Sequence, residues 1–247
     1  MGYTCICKRK ISPEPGETKG WDLLVYRNEI KHVIDAGDKA AICANMRAIA
    51  RLDDHAGPGG SYLIRSLYFD NIADRALREK LDGVNEREKF RIRYYNGDPS
   101  VMHLEKKVKR NGLGYKVSCD ITAEEAQRIV DGDLDWMPAC GRGLIIELYS
   151  KMKAQGLRPR TIVDYTRIPF VYGPGNVRVT IDENIRTGLR CTDFLNPDCV
   201  TIPAGDSVIL LEVKWDEYLP NVIRRAVQVK NRRSTAFSKY QTCRIYG

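Results

Sequence analysis

Hydrophobic and polar residues alternate in several short segments of this 247-residue chain. The clearest segment is "REKFRIRYY" at residues 87–95. In an extended chain, a period of two puts its arginines and its lysine on one face and Phe90, Ile92 and Tyr94 on the other. The pattern predicts a strand with one face suited to a core and one cationic face.

Four further segments repeat this arrangement, and each of them also carries a carboxylate among its cations. The segments are "YRNEIKHVI" (26–34), "HLEKKVK" (103–109), "VRVTID" (177–182) and "ILLEVKW" (209–215). Lys106 breaks the pattern, because it falls on the apolar side of its segment. A single charged strand face is commonly just solvated. Five strands with the same two faces favour a barrel whose apolar side lies outward under helices and whose charged side lines a lumen.

Helical periodicity and end signals predict helices between the strands. Thr122 and Glu125 have the spacing of a capping box, and Gly156 follows "GLIIELYSKMKAQ" as a C-terminal stop signal. The predicted helices start at or near Asp38, Asn71, Thr122, Gly143 and Pro220.

About eight strands that can pair as antiparallel neighbours, together with these helices, predict an α+β fold. "NGLG" at 111–114 marks a turn between two of the strands. We therefore expect an antiparallel eight-stranded β-barrel tunnel with a polar, basic lumen and helices packed outside. The usual nucleotide-binding folds lose support, because the sequence contains neither a Walker A motif nor a GxGxxG loop.

The chain is expected to form a flexible N-terminal arm at residues 1–20 and one domain at residues 21–247. We find no apolar run long enough to span a membrane and no signal peptide, so a cytoplasmic location is expected. The eight cysteines contain no CxxC pair and are expected to be reduced thiols.

The charge balance points to an anionic partner. Lysine and arginine number 40 against 32 aspartates and glutamates, which gives a net charge of +8. Cations that face one lumen repel each other unless a dense anion fills it or water remains there. Polyphosphate or a triphosphate suits this need. The interleaved carboxylates could hold Mn²⁺ or Mg²⁺, which prefer oxygen ligands and bridge phosphates.

Several side chains have a structural alternative to a role in the lumen. Asp182 could equally bind a metal or pair with a buried arginine. Tyr68, Tyr94 and Tyr165 are expected to pack in the protein. Arg65 alternates with the residues that carry the lumen pattern, so it is expected on the surface.

The ordered set of segments resembles the triphosphate tunnel metalloenzymes, also called CYTH-like proteins, and within them the polyphosphate polymerase (VTC) domain. The segments that carry the resemblance, in order from residue 26 to residue 240, are "YRNEIKHVI", "SLYFDN", "REKFRIRYY", "LEKKVKRN", "DYTRIPF", "VRVTIDENIR", "LEVKWD" and "FSKY". The resemblance implies a tunnel that binds ATP and a divalent metal, Mn²⁺ or Mg²⁺, and transfers the terminal phosphate to a growing polyphosphate chain.

The resemblance also implies roles for individual residues. The residues implied in catalysis are Arg91, Arg93, Lys107, Arg167 and Lys214. Those implied in phosphate binding are Arg27, Lys31, Lys80, Lys116, Arg178 and Lys239. Glu212 is the first choice as metal ligand, with help from Glu29 and Glu105. Lys239 rests on the resemblance alone.

Two departures from the family pattern matter. Arg27 stands where the hydrolytic tunnel enzymes have the first glutamate of an ExExK motif, which favours polymerisation. A separate inositol-phosphate-sensing domain and a membrane segment are not seen, so an unidentified membrane or regulatory partner stays open. Hydrolysis of a triphosphate and non-catalytic binding of polyphosphate are the alternative functions. Nucleic acid is not expected as a partner, because no aromatic stacking platform is recognised.

Overall fold

The computed structural model describes residues 27–229 and 232–245. The arm expected at residues 1–20 and the first residues of the expected domain lie outside the described residues. The assignment of 21–247 as one domain stays a prediction. Within the described ranges, no helix is long and apolar enough to cross a membrane.

Eight strands form the main path of the sheet, and two short strands extend it. The strands are β1 (Asn28–Ile34), β2 (Arg51–Leu52), β3 (Tyr62–Asp70), β4 (Arg87–Tyr95), β5 (Asp98–Arg110), β6 (Leu113–Ile121), β7 (Arg158–Tyr172), β8 (Val177–Thr187), β9 (Ile202–Pro203) and β10 (Ile209–Trp215). The helices are α1 (Ala36–Ile49), α2 (Arg75–Leu81), α3 (Ala123–Asp131), α4 (Gly143–Gln155), α5 (Asn221–Ala226) and α6 (Lys239–Ile245). No pattern in the sequence predicted α6.

The strands follow one antiparallel order, β1-β10-β8-β7-β3-β4-β5-β6. In the part of the chain that the structure describes, the two end strands are joined by one bridge, where the Arg27 N–H donates to the Gly114 carbonyl oxygen at 3.3 Å. A tight turn joins β5 to β6, and its residues Asn111 and Gly112 both have positive φ angles (51° and 79°), as a type I′ turn requires. The predicted α+β fold with an eight-stranded antiparallel tunnel is confirmed.

The apolar strand faces pack outward under helices. One cluster joins β3, β4 and β5 to α3 and α4 through residues such as Phe90, Ile92 and Leu148. A second cluster joins β1, β8 and β10 to α1 and α5. Burial of these faces removes apolar area from water, which is the main driving force for folding. The opposite strand faces are therefore left to line the concave side of the sheet.

The short helix α6 packs against this concave side. Tyr240 stacks on Tyr68 with ring centroids 5.1 Å apart, and its hydroxyl donates to Asp70 at 2.6 Å. Tyr68 and Tyr240 belong to a third buried cluster, which also contains Tyr165 and Cys243. The helix thereby covers part of the lumen and places Lys239 at its first turn inside it.

Two helix starts differ slightly from the predicted positions. The N-cap of α1 is Asp35, and Asp38 is the third helical residue of a capping box, because each carboxylate accepts the other residue's backbone N–H. The helix α2 begins at Arg75, where the Asn71 side chain accepts the Arg75 N–H at 3.0 Å.

Arg65 corrects an expectation from the sequence. It lies away from the lumen as alternation requires, but it is only 8% exposed. Its guanidinium donates to both carboxylate oxygens of Asp164, at 3.0 and 2.9 Å, and to the Asn196 carbonyl oxygen at 2.8 Å. The prediction of a surface position was wrong, because the 188–201 segment folds over this part of the outer face.

Candidate active site

Four charged residues of β1 and β10 form a square in the lumen. Antiparallel register sets Glu29 opposite Lys214 and Lys31 opposite Glu212, so the charges alternate around the square. The Lys31 Nζ lies 2.7 Å from Glu29 Oε1 and 3.1 Å from Glu212 Oε2. Lys214 also contacts Glu212, and its Nζ lies 3.6 Å from Glu29. We call these four residues the charge square.

Lys107 also contacts the charge square, although it lies on β5, next to the end strand β6 at the opposite edge of the sheet. This β5 residue places its Nζ 3.1 Å from Glu29 Oε2, across the lumen from β5 to β1. Burial lowers the pKa of Lys107 to about 8, with the positive charges of Lys31 and Lys214 as further causes. Three ammonium groups therefore face two carboxylates at this point of the lumen.

The carboxylates of the charge square stay ionised. Burial and the charge of Glu212 act to raise the pKa of Glu29, but Lys107, Lys31 and Lys214 outweigh them and the pKa falls to about 2. For Glu212, burial opposes ionisation, yet the neighbouring lysines hold its pKa well below the usual value. Both carboxylates therefore carry a negative charge that the neighbouring lysines stabilise.

Glu105 forms the centre of a second group, the Glu105 cluster, with three cations. It is 1% exposed. Arg91 Nε donates to it at 2.7 Å, Lys116 Nζ donates at 2.6 Å, and the nearest Arg93 nitrogen is 3.8 Å away. Glu105 shares none of these ion partners with the charge square. The three predicted carboxylate ligands are therefore not gathered at one point.

Two tyrosines hold the arginines of the Glu105 cluster. Arg91 donates to the Tyr68 hydroxyl at 2.8 Å, and Arg93 donates to the Tyr165 hydroxyl at 3.2 Å. Both rings are buried, as expected, but their hydroxyl groups reach the lumen. Tyr94 packs outward against Phe194 instead. The orienting role of Tyr68 and Tyr165 follows from which strands are neighbours, which alternation alone does not reveal.

Asp182 pairs with cations and forms a third group, the Asp182 cluster. Arg167 donates to its two oxygens at 2.6 and 2.8 Å, and Lys239 Nζ lies 2.6 Å from it. Asp182 is thus paired with a buried arginine of the neighbouring strand β7. The lysine from α6 completes this cluster, so the helix on the concave side contributes directly to the lumen.

The remaining predicted phosphate ligands lie nearer the rims. Arg27 Nε donates to Asp216 at 2.9 Å. Arg178 donates to Asp53 at 2.6 Å, and both arginines border a cavity of about 240 Å³. Lys80 lies on α2, where partial burial and then the charge of Arg87 lower its pKa.

Alternation in β4 places Lys89 on the cationic face, but the family resemblance implies no role for it. It lies opposite Lys107 in the β4–β5 register. Its Nζ is 3.2 Å from the Ser238 hydroxyl oxygen, and no carboxylate of the described ranges lies within ion-pair distance. Burial, and then Lys107 and Lys31, hold its pKa well below the usual value. Like charges directly opposite each other destabilise a sheet, so this position suits an added anion.

The charge square also has the donors that Mg²⁺ or Mn²⁺ would need. Glu29 and Glu212 supply two ionised carboxylates, and Thr180 lies directly opposite Glu212 in the β8–β10 register. The Thr180 hydroxyl is buried and makes no hydrogen bond within the described part of the chain. Among the described residues, no group of three or more His, Cys, Asp or Glu side chains could hold a metal. Mg²⁺ commonly takes one or two carboxylates with substrate phosphates and water, so this donor set fits.

Several solved structures are similar to this chain at low sequence identity. A proposed adenylate cyclase from Bacillus halodurans has 11% identity and a TM-score of 0.47, covering 76% of this chain and 81% of its own. A Pyrococcus horikoshii protein has 14% identity and a TM-score of 0.41, with 82% and 84% covered. A conserved hypothetical protein from Pyrococcus furiosus has 11% identity and a TM-score of 0.41, with 81% and 85% covered.

No curated protein matches the sequence. The sequence pattern of the VTC domain, in contrast, matches residues 26–245. That range includes all eight strands of the tunnel and the helix that carries Lys239. This protein therefore belongs to the VTC domain family.

Proposed function

We propose that this protein is a polyphosphate polymerase that transfers the γ-phosphate of ATP to a growing polyphosphate chain. The observation that carries this proposal is the convergence of cations from seven elements on one concave surface. The charge square, the Glu105 cluster, the Asp182 cluster and Lys89 lie along that surface. A chain of phosphates matches such a row, because it carries closely spaced charges that arginine and lysine both bind.

Phosphates would enter this surface by exchange of ion partners. Arg91 and Arg167 each donate hydrogen bonds to a carboxylate, so their positions are set before the substrate arrives. We propose that Arg91, Arg93, Lys107, Arg167 and Lys214 neutralise charge on the reacting phosphates. We further propose that Arg27, Lys31, Lys80, Lys116, Arg178 and Lys239 bind the rest of the nucleotide and the product chain. Preorganised cations of this kind lower a phosphoryl-transfer barrier without reorganisation.

The reaction needs positioning more than covalent help from the protein. A terminal oxygen of the polyphosphate chain attacks the γ-phosphorus, the bond from the γ-phosphorus to the β,γ-bridging oxygen breaks, and ADP leaves with that electron pair. Glu212 and Glu29 would hold Mg²⁺ or Mn²⁺, with Thr180 as a neighbouring oxygen donor. When bound, the metal supplies charge neutralisation at the phosphate oxygens. We propose that Glu105 serves to orient Arg91 and Arg93.

Arg27 favours polymerisation over hydrolysis in this proposal. It places a cation at the bridge that joins the two end strands, where the hydrolytic tunnel enzymes carry a carboxylate. A cation there adds a contact for a phosphate chain. ATP and polyphosphate are thus the proposed ligands, nucleic acid is not, and a cytoplasmic setting would supply the ATP. A membrane or regulatory partner could control access to the lumen.

The direct test is a polymerisation assay. Purified protein is incubated with γ-labelled ATP, Mn²⁺ and a short polyphosphate primer, and the products are resolved on a gel. We expect a ladder in which the label enters chains of increasing length. Labelled free phosphate without a ladder would favour hydrolysis instead. Tight polyphosphate binding without turnover would indicate a binding module and would contradict the proposal.

Lys89 provides a prediction about pH. A bound phosphate chain stabilises the ammonium form of Lys89, so binding should take up protons and weaken as pH rises. We expect Lys89→Met to lower tripolyphosphate affinity about tenfold and to reduce the proton uptake. Calorimetry in buffers of different ionisation enthalpy measures both quantities.

The control for this prediction is Lys153→Met, which removes the same charge from the exposed side of α4. Titration of tripolyphosphate itself is common to all variants and cancels in the comparison. The groups that face Lys89 and remain in both proteins are Lys31, Arg87, Arg91, Lys107 and the Tyr240 ring. Equal proton uptake by Lys89→Met and by the unaltered protein would contradict the assignment of Lys89.

A further inference from the structure

We propose that the Lys31 ammonium occupies the place of the divalent cation between Glu29 and Glu212, so that a free metal ion must displace it to bind. The inference rests on the proposed function only in assigning these two carboxylates to a metal. It concerns how access to that metal site is regulated by a residue of the chain itself.

The geometry of the charge square supports this inference. One nitrogen, Lys31 Nζ, lies within hydrogen-bonding distance of both carboxylates, at 2.7 and 3.1 Å. Antiparallel register sets Lys31 directly opposite Glu212, and Glu29 is two residues away on the same strand face. Lys31 Nζ therefore bridges the two carboxylates, whereas Lys214 is close to Glu212 and lies 3.6 Å from Glu29.

The burial of Lys31 and Glu212 also supports it. The Lys31 side chain is 14% exposed and that of Glu212 is 6% exposed. Charges are screened little in such surroundings, so a doubly charged ion and the ammonium would repel each other strongly at the same carboxylates. The two cations therefore compete for the pair.

A neighbouring side chain, that of Thr180, is consistent with the same inference. Thr180 faces Glu212 across the strand pair, and its buried hydroxyl has no hydrogen-bond partner among residues 27–229 and 232–245. An ammonium bonded to both carboxylates leaves this oxygen unused. A metal ion coordinates more oxygen atoms than a lysine can bind, so an idle oxygen donor beside the pair is consistent with a site shared by the two.

Exchange requires another place for the ammonium to go. Lysine carries its charge on a flexible four-carbon stem, so Lys31 can move without a change in the backbone. A phosphate chain in the lumen would offer it new oxygen partners. Metal and phosphate binding would then strengthen each other, because each removes an obstacle to the other.

The test measures Mn²⁺ binding in the absence of nucleotide, from the electron paramagnetic resonance signal of free Mn²⁺. We expect Lys31→Met to bind Mn²⁺ about tenfold more tightly than the unaltered protein, because the carboxylates lose their competitor. Lys31→Arg keeps the charge and should bind Mn²⁺ like the unaltered protein. The double variant Lys31→Met with Glu212→Gln should lose this gain in Mn²⁺ affinity.

Lys116→Met is the matched control, since it removes the same charge from the lumen but beside Glu105. Circular dichroism confirms that each variant is folded, and Lys31→Gln replaces Lys31→Met if that variant is not. Unchanged or weaker Mn²⁺ binding by the folded neutral variant, or an equal gain in Lys116→Met, would overturn the inference. Because no nucleotide is present, a failed polymerisation assay would leave this result standing.

Discussion

Replacing Glu212 by glutamine is expected to lower the rate of phosphoryl transfer by about 100-fold or more. The amide keeps the shape of the side chain but removes the negative charge that Lys31 and Lys214 share. It also removes the better placed of the two proposed metal ligands, since Glu212 is only 5% exposed. The initial rate at which label enters polyphosphate chains measures the effect at saturating ATP.

Glu147→Gln is the matched control for this substitution. Glu147 pairs with Lys106 at 2.6 Å on the outer side of the sheet, so its change alters a similar ion pair outside the lumen. We expect its rate to stay close to that of the unaltered protein. A folded Glu212→Gln variant with an unchanged rate would contradict the assigned role. Equal losses in both variants would point to an effect on folding.

Replacing Arg65 by methionine is expected to destabilise the protein by about 3–5 kcal/mol. Asp164 is 4% exposed, and the substitution would leave its charge buried without the arginine that forms three hydrogen bonds with it. The loss of the bond to the Asn196 carbonyl oxygen would also release the 188–201 segment from the sheet. Chemical denaturation gives the free energy of unfolding.

A second substitution tests the cause of this effect. Arg65→Met combined with Asp164→Leu removes both charges, so most of the lost stability should return. The exposed pair of Arg128 and Asp133 offers a control, because Arg128→Met should leave stability nearly unchanged. If Arg65→Met were as stable as the unaltered protein, the buried pair would have no net role.

Local alternation was sufficient to predict which strand faces bear charge. The residues of β4 illustrate this, since Phe90 and Ile92 are buried in the outer core while Arg91 and Arg93 face inward. Lys106, the exception to the pattern, lies outside the lumen and pairs with Glu147 on α4. Side-chain direction in a strand depends only on position along the chain, so it can be determined from sequence.

Which charged side chains form ion pairs with each other could not be predicted in the same way. Glu105 and Glu212 occupy similar patterns in the sequence, yet one contacts two arginines and a lysine while the other contacts only lysines. The difference arises from the order of strands in the sheet, which brings β4 and β6 to one carboxylate and β1 to the other. For the same reason, Lys89 has no carboxylate of the described residues within ion-pair distance.

The sequence by itself determined the α+β class and the two faces of the charged strands. These depend on period and composition, which act within a few neighbouring residues. Only the tertiary structure decided the ion pairs, the burial of Arg65 and the position of Lys239 on a helix within the concave side. The contacts of Lys239 and Arg65 join residues 57 and 99 positions apart along the chain, so they form only when the elements that carry them have packed together.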